Sequence, residues 1–202
     1  MPFTTYKTIS AVLQDYQIVS AETDFVVETH LLISDSFRAD LEFSLRELVF
    51  DNSEYAICEN LIYPVLKEIY KSYRDKFMLW SHQPLNFDET LSGVPDYVVA
   101  KRSPLGKFVF DQPYVIVIEA KRDDFAAGWG QCLAEMIAAQ KLNERGIQPI
   151  FGIVSNGKIW EFGRLLRDRF TRNIEGYTIY NLDRLFAAIN YIFTQCVLAL
   201  EV

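Results

Sequence analysis

The chain has 202 residues, half of them hydrophobic and 23% charged, a composition that excludes a mainly disordered chain and suits one ordinary globular domain. Its formal net charge is −7, from 20 basic and 27 acidic residues, which argues against holding nucleic acid by bulk positive charge. No apolar run reaches membrane-spanning length and Met1 to Gln17 lacks the continuous apolar core of a secretory leader, so no membrane partner is expected and the cytosol is the expected location.

Taken in order, Thr4 to Tyr16 places Ile9, Val12, Leu13 and Tyr16 at helical spacing, and Phe25 to Ile33 is rich enough in β-branched residues to predict a strand. Ser34 then caps a helix whose apolar face carries Phe37, Leu41, Leu45 and Leu48. Residues 1–50 read as an extension packed on the core that follows. Asp51 and Glu54 have the spacing of a capping box, and Glu59, Ile62, Leu66, Ile69 and Tyr73 recur at helical intervals behind them. Pro64 forfeits a backbone hydrogen bond inside that helix, so a kink or break is expected between Asn60 and Pro64. Cys58, Cys132 and Cys196 are odd in number and sit in apolar patterns, the mark of buried thiols in a reducing compartment.

Phe77 to His82 reads as the first strand of a sheet, ended by Pro84, with a loop from Asn86 to Gly93. Tyr97 to Lys101 and Tyr114 to Lys121 are β-branched runs joined through a turn at Pro104 and Gly106. The second run, continuously apolar from Val115 to Ile118, reads as a buried central strand. Alternation sends Glu119 and Lys121 to one face, with Val115 and Val117. Antiparallel pairing of the two runs brings Asp96, at the start of the first, beside Glu119 and Lys121, at the end of the second. Asp123 or Asp124 caps a helix running through Asn143, with Gly146 just past its end. Ile147 to Val154 and Lys158 to Phe162 form a strand pair around Asn156-Gly157, and Asn181 caps a last amphipathic helix carrying Leu185, Ile189, Ile192, Cys196 and Leu200. This order predicts an α/β fold, a mixed central sheet with helices on both faces.

Pro95-Asp96 followed by Glu119-Ala120-Lys121 resembles the motif of the PD-(D/E)XK nuclease superfamily, which includes restriction endonucleases and RecB-type exonucleases. The resemblance covers about Asp51 to Phe162 and implies a restriction-endonuclease-like core. It also implies a nuclease that hydrolyses phosphodiesters of nucleic acid, with DNA as the expected partner and Mg²⁺ or Mn²⁺ as cofactor. The metal ligands would be Asp96, Glu119 and the backbone carbonyl of Ala120, a hard oxygen set suited to Mg²⁺, and Lys121 would be the catalytic amine. In that family an acid on a helix before the first strand often completes the metal site, which nominates Glu59, with Glu54 the weaker choice because capping already accounts for it. Gln131, on the helix after Lys121, matches a glutamine that contacts site or substrate in RecB-like relatives, although Glu135 stands where their tyrosine would be. Lys158, in a hairpin similar to one in some restriction-type nucleases, is a further substrate-binding candidate. A homodimer would suit a duplex cutter.

Other chemistries find less support. His30 and His82 lack zinc-ligand spacing, and neither a nucleophile elbow nor a phosphate-binding glycine loop is present in the sequence. Three alternatives to the nuclease stay open on the residues alone. Asp96, Glu119 and Lys121 could be an ion pair that merely ends strands, the fold could serve an inactive binding or regulatory module, which the acidic net charge favours, or the chain could be a protein-interaction domain with no nucleic-acid role.

Overall fold

In the computed structural model, which describes residues 2–143 and 148–201, four helices start on a short polar side chain that accepts a hydrogen bond from an otherwise free backbone N–H. A 3₁₀ turn at Pro2–Thr5 precedes α1 (Ile9–Tyr16), capped by Thr8. After β1 (Val19–Glu22), Ser34 caps α2 (Asp35–Glu47) and Ser53 caps α3 (Glu54–Ile57). A π-helical turn at Cys58–Ile62 leads into α4 (Tyr63–Tyr73). β2 (Phe77–Ser81), the short pair β3 (Leu85–Asn86) and β4 (Ser92–Gly93), β5 (Tyr97–Lys101) and β6 (Tyr114–Ala120) follow. Asp124 caps α5 (Phe125–Leu142); the expected stop at Gly146 lies outside the described residues. β7 (Ile150–Ser155), β8 (Ile159–Leu166), β9 (Arg169–Arg172), β10 (Tyr177–Thr178) and α6 (Leu182–Leu200) complete the order.

The main sheet is mixed and eight-stranded, in the order β1-β9-β8-β7-β6-β5-β2, with β10 paired to β8. β6 and β7 at its centre are parallel, as are β9 and β1 at one edge, whereas the β2–β5, β5–β6, β7–β8 and β8–β9 pairs are antiparallel. One face packs Phe77, Val99, Ile116, Ile118 and Ile153 against α4 and α6. The opposite face packs Val98, Val117 and Val154 against α1 and α5, with Trp129 and Leu133 at the contact. The fold is therefore α/β, with helices covering both faces. The three cysteines are buried and free, and among the described residues no helix is long and apolar enough to cross a membrane.

Three local expectations are corrected. Phe25 to Ile33 forms no strand. Its apolar residues pack on α6, and the Phe25 and Val26 N–H groups donate to Asn173 Oδ1, at 2.8 and 3.0 Å, instead of to a neighbouring strand. The edge strand in this part of the chain is β1, parallel to β9. Second, Ser53 caps α3 by accepting from Ala56 N at 3.1 Å, so Asp51 and Glu54 do not form a capping box and Glu54 begins the helix. Third, Val99 pairs with Ile116 and Ala100 with Tyr114. Val115 is thus the extra residue of a β-bulge, and it joins Ile116 and Ile118 on the α6 face instead of Val117 on the α5 face.

Asn173 holds the N-terminal segment through two hydrogen bonds, and its Nδ2 donates to Glu175 O at 2.9 Å, which fixes the orientation of the amide. Asn173→Ala leaves those backbone groups without their partner and is expected to lower stability by roughly 2–4 kcal/mol. Urea unfolding reads this as a lower midpoint with the slope unchanged; a midpoint close to that of the parent chain would show that the segment is held elsewhere.

Candidate functional site

The ladder between β5 and β6 sets the geometry. Tyr97 pairs with Ile118, so Asp96 and Glu119 face each other one rung further on, both toward α5. Beyond them Lys121 N donates to Ser155 O at 2.9 Å, which carries the end of β6 along β7. Asp96 Oδ2 accepts from Ala120 N–H at 2.7 Å, and Lys121 Nζ donates to Glu119 Oε1 at 2.6 Å. Lys121 and Glu119 are therefore bonded, and Asp96, anchored on the Ala120 backbone between them, lies near enough for its charge to act on both.

Charge at this place is lopsided. Glu119 is 2% exposed, and its Oε2 has no hydrogen-bond partner among the described residues. Burial, and after it the charge of Asp96, pushes the Glu119 carboxyl up to about 8, against the pull of Lys121. Burial also raises Asp96, although the Ala120 N–H, Lys121 and His82 oppose the rise. For Lys121 burial is the largest influence and lowers it, but Glu119, Glu54 and Asp96 together outweigh burial and hold the amine above its ordinary value. A simple ion pair would lower its acid and raise its base. Here both rise, the acid because burial first and the Asp96 charge second outweigh the amine, and the amine because several carboxylates face it.

The helix acid at the site is Glu54, not Glu59. Glu59 is exposed and Glu54 Oε2 stands 3.9 Å from Lys121 Nζ. The reason lies in the π turn. Pro64 has no N–H to give, Tyr63 N–H reaches back to Cys58 O, and the extra residue turns Cys58, Leu61 and Ile62 inward. Glu59, in phase with Leu66 on an unbroken α-helix, is rotated out. Glu54 is released for the site because Ser53 does the capping, a reading available in the sequence from the serine directly before it.

Gln131 was expected at the substrate and is instead buried, with Nε2 donated to Glu135 Oε1 at 3.0 Å. Glu135 is fully buried, its Oε2 also lacks a partner among the described residues, and burial followed by the charge of Glu119 raises it well above the carboxylate range. A buried acid needs a donor, and Gln131 is that donor. Lys158 lies over the Phe50 ring, 5.0 Å from its centre, in a cleft of about 210 Å³ shared with Arg122, Asp123 and Asn156. Arg122 and Asp123 also line the adjoining cleft that holds Glu54, so Lys158 sits next to the site without touching its carboxylates. Arg164, in β8, lies over the Phe25 ring, and Arg172, in β9, pairs with Glu161.

Among the described residues no group of three or more His, Cys, Asp or Glu side chains is gathered closely enough to hold a metal ion. The arrangement offers two carboxylates and a main-chain carbonyl, a set that fits Mg²⁺, since that ion keeps several waters and commonly takes only one or two carboxylates. The buried, partnerless Oε2 of Glu119 and the excess of negative charge fit a cation as well. No family model matches the chain and no curated protein matches it.

Proposed function

We propose that the chain is a restriction-endonuclease-like, Mg²⁺-dependent nuclease that hydrolyses DNA phosphodiesters, with Mn²⁺ able to replace Mg²⁺. The observation that carries this reading is the pair Asp96 and Glu119, opposed across the β5–β6 ladder, with Lys121 bonded to one of them. At a separation of roughly 4 Å two carboxylates repel by about 4 kcal/mol at an effective dielectric near 20, equivalent to about three pKa units. One lysine offsets that only in part, since burial first and the Asp96 charge second still raise the Glu119 carboxyl against its pull.

Asp96, Glu119 and the Ala120 carbonyl would hold the cation, with Glu54 the nearest further carboxylate. When bound, the ion supplies positive charge and Lewis acidity to the scissile phosphate. Lys121 orients the attacking water and stabilises charge developing on the phosphate oxygens. Its stem is 16% exposed, so the amine works in a site largely shielded from bulk water, where such a charge counts for more. Lys158 and Arg122 offer cations for flanking phosphates. A homodimer would serve to cut both strands of a duplex, and the cytosol suits three reduced thiols.

A second reading is a nuclease-fold module that binds but does not cut. The net charge of −7 favours it, as does the short bond that occupies the Lys121 amine. Single-stranded, duplex and branched DNA, and RNA, incubated with the protein and Mg²⁺ or Mn²⁺, separate the two. Cleavage is expected to require the divalent ion and to fall at least about 100-fold in both Asp96→Ala and Lys121→Ala. Cleavage surviving either substitution overturns the assignment of the site, and metal-dependent binding without cleavage selects the module.

A further inference from the structure

We infer that His82 is a positioning residue for Asp96, its Nε2–H aimed at the Asp96 oxygen left free by the Ala120 N–H, and that it thereby sets the affinity of the site for a divalent cation. The inference rests on the metal-site reading above.

The register between β2 and β5 makes the placement. Ser81 pairs with Tyr97, so His82 and Asp96 face each other on the next rung, and His82 N donates to Asp96 O at 2.9 Å. His82 then leaves the strand with φ of 51°, a left-handed conformation uncommon for a residue with a side chain and found more often where function requires it. That turn directs the imidazole back over Asp96. Nε2 is 3.6 Å from Asp96 Oδ1, and the ring edge rests on Tyr97 with the ring centres 6.1 Å apart. Ser81 Oγ lies 2.7 Å from Nδ1. If Nδ1 carried the proton, a bare Nε2 lone pair would face a carboxylate oxygen. The charge of Asp96 therefore selects the tautomer in which Ser81 donates to Nδ1 and Nε2–H points at Oδ1.

Asp96 thus has the Ala120 N–H bonded to Oδ2 and the histidine Nε2 standing 3.6 Å from Oδ1, longer than a formed hydrogen bond but near enough to steer the carboxylate by charge. Carboxylates that ligate a metal are ordinarily oriented by such outer partners, and loss of one weakens metal binding by about 10–100-fold.

The test measures Mn²⁺ binding by electron paramagnetic resonance without DNA, for the parent chain and for Asp96→Asn, His82→Ala, His82→Asn and Ser81→Ala. Asparagine tolerates the left-handed backbone and keeps an N–H donor. The parent chain is expected to bind and Asp96→Asn to lose binding. His82→Ala is expected to bind about 10–100-fold more weakly, His82→Asn to recover part of that loss, and Ser81→Ala to show a few-fold loss. If the parent binds no Mn²⁺, or Asp96→Asn binds as the parent does, the metal site itself fails and the inference falls with it. If Asp96→Asn loses binding while His82→Ala and Ser81→Ala retain the parent affinity, the role of His82 alone is overturned. A loss in His82→Ala that His82→Asn does not relieve at all shows a merely structural effect, and it likewise overturns the role.

Discussion

Glu119→Gln is expected to make the metal-free protein more stable at pH 8 and above while removing its response to Mg²⁺. The folded chain raises the Glu119 carboxyl from 4.5 to about 8, burial first and the Asp96 charge second. A carboxyl raised on folding contributes stability that is fully present below its unfolded value and is lost as pH climbs through the folded one. The metal-free parent should therefore weaken between about pH 4.5 and 8, by about 5 kcal/mol if the whole shift is expressed. Glutamine carries no charge at any of these pH values, keeps an oxygen for Lys121 and places an amide where the partnerless Oε2 lies. Its pH profile should be much flatter, with a residual slope from Glu135, which is raised for the same reason. Denaturant unfolding at pH 5, 7, 8 and 9, with chelator and with Mg²⁺, reads both effects. Mg²⁺ should restore stability to the parent at pH 8, because binding only to the folded state adds free energy by mass action, and should do nothing for Glu119→Gln. Parallel pH profiles for the two proteins would mean that Glu119 does not carry the uncompensated charge.

That excess charge was legible in the sequence only in outline. The β5–β6 ribbon could be read because period-two alternation, a local turn and two apolar runs all agree within a short stretch of chain. Asp96, Glu119 and Lys121 followed from it. Long-range pairing could not be read in this way. β1 offers Val-Ser-Ala-Glu, an alternation only four residues long with no fully buried member, and it becomes a strand because β9 lies beside it, Val19 opposite Arg169. The segment Phe25 to Ile33 shows the reverse error, since its apolar content serves packing on α6 and not a ladder. α5 explains Gln131 and Glu135: its middle is apolar on all sides and buried from Gly128 to Ala139, so a polar residue in that stretch points inward and must find its partner there. Glu54 and Glu59 exchanged roles through two local details, a serine cap and a π turn, and neither breaks helical periodicity visibly enough to be found by counting residues. His82 needed only the β2–β5 register, which sets it opposite Asp96, but that register is itself a tertiary fact.

Gly128→Ala should separate the amine from the carboxylates. A Cβ on this α5 glycine would lie 2.8 Å from Lys121 Cγ and 2.8 Å from Val154 Cγ1, closer than carbon atoms pack, so something must give. Val154 is fully buried in β7, and the lysine stem is the more easily displaced of the two because it has rotatable bonds and a partly open end. The amine would be carried off its bond to Glu119 Oε1, while Asp96 stays fixed by its bond from the Ala120 N–H. Overpacking of this kind costs about 1–3 kcal/mol of stability, and displacing a catalytic group by an ångström costs about 100-fold in rate. The expected result is a variant that folds, binds Mn²⁺ within a few-fold of the parent and cleaves DNA about 100-fold more slowly, the loss lying in kcat and not in KM. Equal losses of metal affinity and cleavage would show that the carboxylates moved as well. Undiminished cleavage in a variant whose stability has dropped would remove Lys121 from the chemistry, because the stem would have shifted without consequence.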